Sequence, residues 1–95
     1  MVVTELKKTC EGCPAQWEGR LVGGRMLYIR YRWGYLSVRI SKGITNDVDE
    51  AVRGIEMFGK NVGGGLDGTM EFEMLEFHTQ GIINFNMVRE TKCNL

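Results

Sequence analysis

Histidine occurs once in this 95-residue sequence, at His78, proline once, at Pro14, and cysteine three times, at Cys10, Cys13 and Cys93. No apolar run approaches the roughly 20 residues that a membrane-spanning helix needs. The N-terminus lacks the basic-then-apolar pattern of a secretion signal, so a cytoplasmic protein is expected. The lone histidine falls on an apolar helical stripe, which suits a partly buried structural role better than that of a general base. Cys10-Glu11-Gly12-Cys13 has the spacing of half a zinc site that Cys93 and His78 would complete, but there is no second close pair. A redox CxxC is expected at a helix start after a strand, and this one has no such setting. Three free thiols, no metal and no cofactor are the expectation.

What is present describes an ordinary folded domain. Apolar residues make up 43% and charged residues 25%, which excludes a disordered chain, and the length suits one domain spanning residues 1–95. No repeat, low-complexity tract or linker interrupts it. Net charge is zero but unevenly spread. Residues 14–43 carry Arg20, Arg25, Arg30, Arg32, Arg39 and Lys42 against Glu18 alone, a net +5. Residues 44–80 carry eight acids against Arg53 and Lys60, a net −6. Such segregation orients an anionic ligand toward one half, although two solvated surfaces have the same signature.

The basic half alternates with period two. With Trp33-Gly34 as the central turn residues, Arg32 faces Tyr35, Arg30 faces Ser37 and Tyr28 faces Arg39, because a two-residue loop fixes the register. Leu27, Ile29, Tyr31, Leu36, Val38 and Ile40 then share the opposite, core side, and Trp33 is assigned to that side with Tyr31. Tryptophan is an unfavoured first residue for a type I′ turn, which leaves a longer loop or a bulge open. Upstream, Ala15 to Val22 forms a further strand through a Gly23-Gly24-Arg25 loop. That register sets Trp17, Gly19 and Leu21 beside Tyr31, Ile29 and Leu27, and Glu18 opposite Arg30 as a cross-strand charge pair.

After Gly43 the period lengthens to about 3.6. Val48, Ala51, Val52, Ile55 and Phe58 recur on one stripe, which predicts a helix begun at Thr45 or Asn46 and closed at Gly59. Lys60 to Gly68, with four glycines, reads as a loop. Thr69 would cap a second helix through Gln80, with Phe72 and Leu75 inward and Gly81 at its end. Ile82 to Val88 has strand composition, and Val2 to Leu6 is a weaker strand candidate; the sequence leaves the pairing of both open. The expected fold is α+β: an antiparallel sheet, comprising a three-strand meander plus a C-terminal strand, packed on one face by two helices.

Catalytic signatures are missing. Glu71, Glu73 and Glu76 do not share one helical face, and Gly63-Gly64-Gly65 lacks the Lys-Ser/Thr of a phosphate loop. The sheet's polar face offers something else. Arg20, Tyr28, Arg30, Arg32, Tyr35 and Arg39 combine guanidinium groups, which pair bidentately with phosphate or carboxylate, with rings on which bases stack. The aromatic-glycine signature of single-strand RNA modules is absent, and the same residue types are enriched at protein interfaces.

The segments Cys13-Pro14-Ala15-Gln16-Trp17-Glu18-Gly19-Arg20 and Tyr28 to Val38 resemble a pattern in short uncharacterised proteins of phage, prophage or other mobile-element type. That resemblance implies a small non-enzymatic effector, one that inhibits a host factor or sequesters a nucleotide signal. It transfers no site residues. The expected function is therefore a non-enzymatic binding protein for a nucleotide or nucleic acid. The alternative is a protein-interaction or homo-oligomerisation module that inhibits a host protein.

Overall fold

The computed structural model describes residues 1–10, 15–63 and 69–88. Five strands pair antiparallel in sequence order: β1 (Val3–Cys10), β2 (Ala15–Leu21), β3 (Arg25–Arg32), β4 (Tyr35–Ile44) and β5 (Ile55–Asn61). A short helix α1 (Asp49–Val52) links β4 to β5, and α2 (Phe72–His78) follows. The α+β class and the antiparallel sheet match the sequence reading. The sheet is larger than expected, because β1 and β5 flank the three-strand meander.

Alternation decides which face is buried. Ala15, Trp17, Leu21, Leu27, Ile29, Tyr31, Leu36, Val38 and Ile40 are all buried on one face, joined there by Phe72 and Leu75 of α2 and by Ile83, Phe85 and Val88. Burying each large side chain of this kind contributes about 1.5–3 kcal/mol. Phe72 meets Phe85 edge to face at 5.3 Å. Lys8 is on the same face, opposite Trp17, with its ammonium 5.1 Å from the indole centroid and donating to the Met70 carbonyl at 2.9 Å.

The β3–β4 register is the expected one, with Arg32 opposite Tyr35, Arg30 opposite Ser37 and Tyr28 opposite Arg39. The turn is a true two-residue loop, with Trp33 at φ +57° and Gly34 at φ +76°, the left-handed pair of a type I′ turn. Trp33 is consequently turned outward and 54% exposed, not on the core side. The β2–β3 register differs from expectation by two residues. The loop is Val22-Gly23-Gly24, so Glu18 faces Tyr28 and Arg30 faces Gln16. A slip of two preserves the faces but changes the partners: Trp17 lies beside Ile29 and Gly19 beside Leu27, and the Glu18–Arg30 pairing is lost.

The helix expected over 48–58 is instead the single turn of α1 followed by β5. Val48 occupies its N-cap without a side-chain bond, while the Thr45 hydroxyl accepts the Asp47 N–H at 3.1 Å and donates to Glu50 at 2.9 Å. Gly54 ends the turn: a β-carbon there would strike the Ile40 carbonyl, so β5 enters directly beside β4. Ala51 is buried outside the main core cluster, and Gly59 lies inside β5, closing no helix.

α2 agrees with the second expected helix, with Phe72, Leu75 and Thr79 buried and Gly81 at φ +81° after its end. Glu71, not Thr69, is its N-cap residue. The C-terminal strand is reduced to one parallel bridge between Val2 and Asn84, with residues 86–88 in a helical turn. The Met1 amine donates to the Ile82 carbonyl at 3.0 Å, and the Asn84 N–H donates to the Met1 carbonyl at 2.7 Å. Part of the glycine-rich segment, residues 64–68, lies outside the described residues.

Candidate functional site

The opposite face of β3 and β4 alternates Tyr28, Arg30 and Arg32 with Tyr35, Ser37 and Arg39, because the apolar positions between them take the core side. Beside them β5 brings Glu56 opposite Arg39 and Gly59 opposite Ser37. These side chains line a groove of about 540 Å³, which Trp33 and Val52 complete. Its size is within the range of about 300–1,000 Å³ usual for small-molecule sites.

Gly59 explains part of the shape. A β-carbon at that position would collide with the Tyr35 phenol, so the missing side chain lets Tyr35 lean across β5. Its hydroxyl then donates to Glu56 Oε2 at 3.2 Å, and the Ser37 hydroxyl donates to Glu56 Oε1 at 2.9 Å. Burial of the ring and then the Glu56 carboxylate raise the Tyr35 pKa above its ordinary 10.0, with Arg39 opposing them.

Each guanidinium has a different setting. Arg32 lies over the Trp33 ring at 5.1 Å, a cation–π contact at the hairpin tip. Arg39 donates to the Gly54 carbonyl at 3.2 Å. Arg30 has its Nε buried with no hydrogen-bond partner, the one such side-chain atom among the described residues. A buried donor without an acceptor costs about 1–3 kcal/mol, a cost the fold carries at the wall of this groove.

Five of the six sequence-derived site residues therefore converge: Tyr28, Arg30, Arg32, Tyr35 and Arg39. Arg20 does not join them. Its Nε lies 3.6 Å from Glu5, and its guanidinium donates to the Thr45 carbonyl at 3.3 Å. Sequence reasoning missed Trp33, assigned to the core, and Glu56 and Val52, assigned to one long helix. The lining of Ser37 was implicit in its register opposite Arg30.

Among the described residues no three His, Cys, Asp or Glu side chains gather to hold an ion. Cys10 is a free thiol at the end of β1, and His78 sets its ring edge to face with Phe77 at 5.3 Å; Cys13 and Cys93 lie outside the described residues. No helix among the described residues is long and apolar enough to cross a membrane. A second hollow of about 520 Å³ lies between α2 and residues 80–86, but Glu73 and Glu76 line it and, among the described residues, no arginine or lysine does. No protein-family model, curated protein or solved structure matches the chain.

Proposed function

We propose that the protein is a small non-enzymatic binding protein whose outer sheet face takes an anionic ligand with an aromatic base, a nucleotide or a short stretch of nucleic acid. The convergence of Arg30 with two further arginines on one groove carries this reading, since guanidinium groups pair with an anion's oxygens. Arg32 and Arg39 add positive charge on either side, and Tyr28, Trp33 and Tyr35 supply rings for a base. The groove has no histidine, and its one carboxylate, Glu56, is engaged on both oxygens by the Ser37 and Tyr35 hydroxyls, which we read as a braced acceptor for binding and not as a base for turnover. The resemblance of residues 13–38 to mobile-element proteins fits an effector that sequesters a nucleotide signal.

Calorimetric titration with nucleoside monophosphates tests the reading. Arg30→Ala/Arg32→Ala is expected to weaken binding by roughly 10- to 100-fold, the loss of charge-assisted hydrogen bonds. Undiminished affinity in that variant overturns it.

A second reading has its own support. Trp33 stands 54% exposed at the hairpin tip next to half-exposed Tyr35 and Val52, a combination frequent at protein interfaces. Under it the protein docks on a host protein or a second copy of itself. Light scattering across concentration, with capture of partners from host lysate, separates the two: a monomer that captures nothing counts against docking.

A further inference from the structure

We infer that the groove selects guanine among the bases, with Glu56 reading the base while Arg30 and Arg32 hold the phosphate. The inference rests on the nucleotide reading above and goes beyond it by assigning the one acidic group in a groove of arginines. If the groove recognised anions alone, a carboxylate there would only weaken it.

The placement of Glu56 is specific. Both its oxygens are engaged from the protein side, Oε2 by the Tyr35 hydroxyl and Oε1 by the Ser37 hydroxyl. An ionised carboxylate has about four acceptor positions, so each oxygen keeps capacity for a further donor. Glu56 is also exposed. Two hydroxyl donors thus brace an accessible fork of acceptors at the groove's edge.

Only one common base offers the matching fork. Guanine presents two neighbouring donors, N1–H and the exocyclic amino group. Adenine, cytosine and uracil each place an acceptor next to their donor, and a carboxylate oxygen would face that acceptor's lone pair. Glu56 on β5 is level with Arg39 and Tyr28, two strand spacings from β3, and Arg30 and Arg32 lie two and four residues further along, so the backbone separations from Glu56 are roughly 12 Å and 17 Å. Arg30, the nearer, lines the same groove as Glu56, so a purine whose pairing edge meets Glu56 directs its 5′-phosphate toward the arginines. Tyr35 and Ser37 on the intervening β4 lie under the path between them.

The test compares GMP, AMP, IMP and inorganic phosphate on the wild type and on Glu56→Gln, by calorimetry at low ionic strength. A well-made bidentate contact discriminates by about tenfold or more. GMP is therefore expected to bind the wild type about tenfold tighter than AMP, with IMP between them because it lacks the amino group. In Glu56→Gln the GMP preference is expected to collapse toward unity while AMP and phosphate bind no worse. Equal affinities for GMP and AMP, or a preference that survives Glu56→Gln, overturn the guanine assignment and leave the nucleotide reading standing. Binding of no nucleotide overturns both. Tyr35→Phe, which removes one brace and keeps the ring, is expected to reduce the preference in part; an unchanged preference there means the brace has no role in orienting the carboxylate.

Discussion

Trp33 holds φ +57°, a conformation in which a β-carbon costs about 1–2 kcal/mol, and the fold tolerates that cost at the rim of its groove. Asparagine adopts the same backbone with less strain. Trp33→Asn is expected to stabilise the fold by about 0.5 kcal/mol in urea unfolding, the relieved strain less the lost Arg32 contact. The same variant is expected to bind nucleotide more weakly, since a stacked base is worth about 1–3 kcal/mol. Gain of stability with unchanged affinity would mean that Trp33 is outside the binding surface. Tyr35 gives a second residue-scale expectation. Its folded pKa is raised, so the folded state holds the phenolic proton more tightly than the unfolded state. The associated stability is complete below the unfolded value of 10.0 and is lost as pH rises through the folded value. The stability difference between wild type and Tyr35→Phe should shrink above about pH 10 and be flat between about pH 7 and 9. A difference that grows with alkaline pH contradicts the Tyr35–Glu56 contact.

At the scale of elements, β5 shows why one segment was legible and its neighbour was not. The β3–β4 hairpin could be registered from sequence because a two-residue turn and unbroken alternation leave one solution. β5 breaks its alternation at a bulge: Val38 pairs with Phe58 and Arg39 with Glu56, leaving Met57 without a counterpart. Ile40 pairs with Ile55, so Ile55 and Phe58 fall on the same side three residues apart. That is the spacing of a helical stripe, and continuity with the helical turn of α1 completes the resemblance. Gly54 is the local signal that breaks it, and its close approach to Ile40 shows only in three dimensions. The bulge also delivers Glu56 to the polar face. The acid was thus illegible as a site residue, whereas Tyr28, Arg30, Arg32, Tyr35 and Arg39 followed from alternation alone. Arg20 shares their face but is claimed by Glu5 and Thr45, contacts that depend on how β1 and the 44–48 segment approach. Phe58 packs against the core while Met57 is 46% exposed. Phe58→Ala is expected to cost about 2–4 kcal/mol and Met57→Ala less than about 0.5 kcal/mol in urea unfolding. Equal costs would contradict the placement of Phe58 on the core side and Met57 on the outer side.

Across the whole molecule, the split between basic and acidic halves of the sequence does not become a split in space. Glu56 enters the basic groove, while Glu71, Glu73 and Glu76 lie on or beside α2, which contributes Phe72 and Leu75 to the other face of the sheet. One face of the sheet is closed by the core, and the other holds a groove with three arginines and three aromatic rings around a single carboxylate. The central claim is that this second face binds a nucleotide through Arg30 and Arg32. Its most direct measurement is GMP affinity against salt concentration for the wild type and for Arg30→Ala/Arg32→Ala. Wild-type affinity is expected to fall with salt, and the variant is expected to bind more weakly with a flatter dependence, since fewer counterions are exchanged. Identical affinity and identical salt dependence in the two proteins would contradict it.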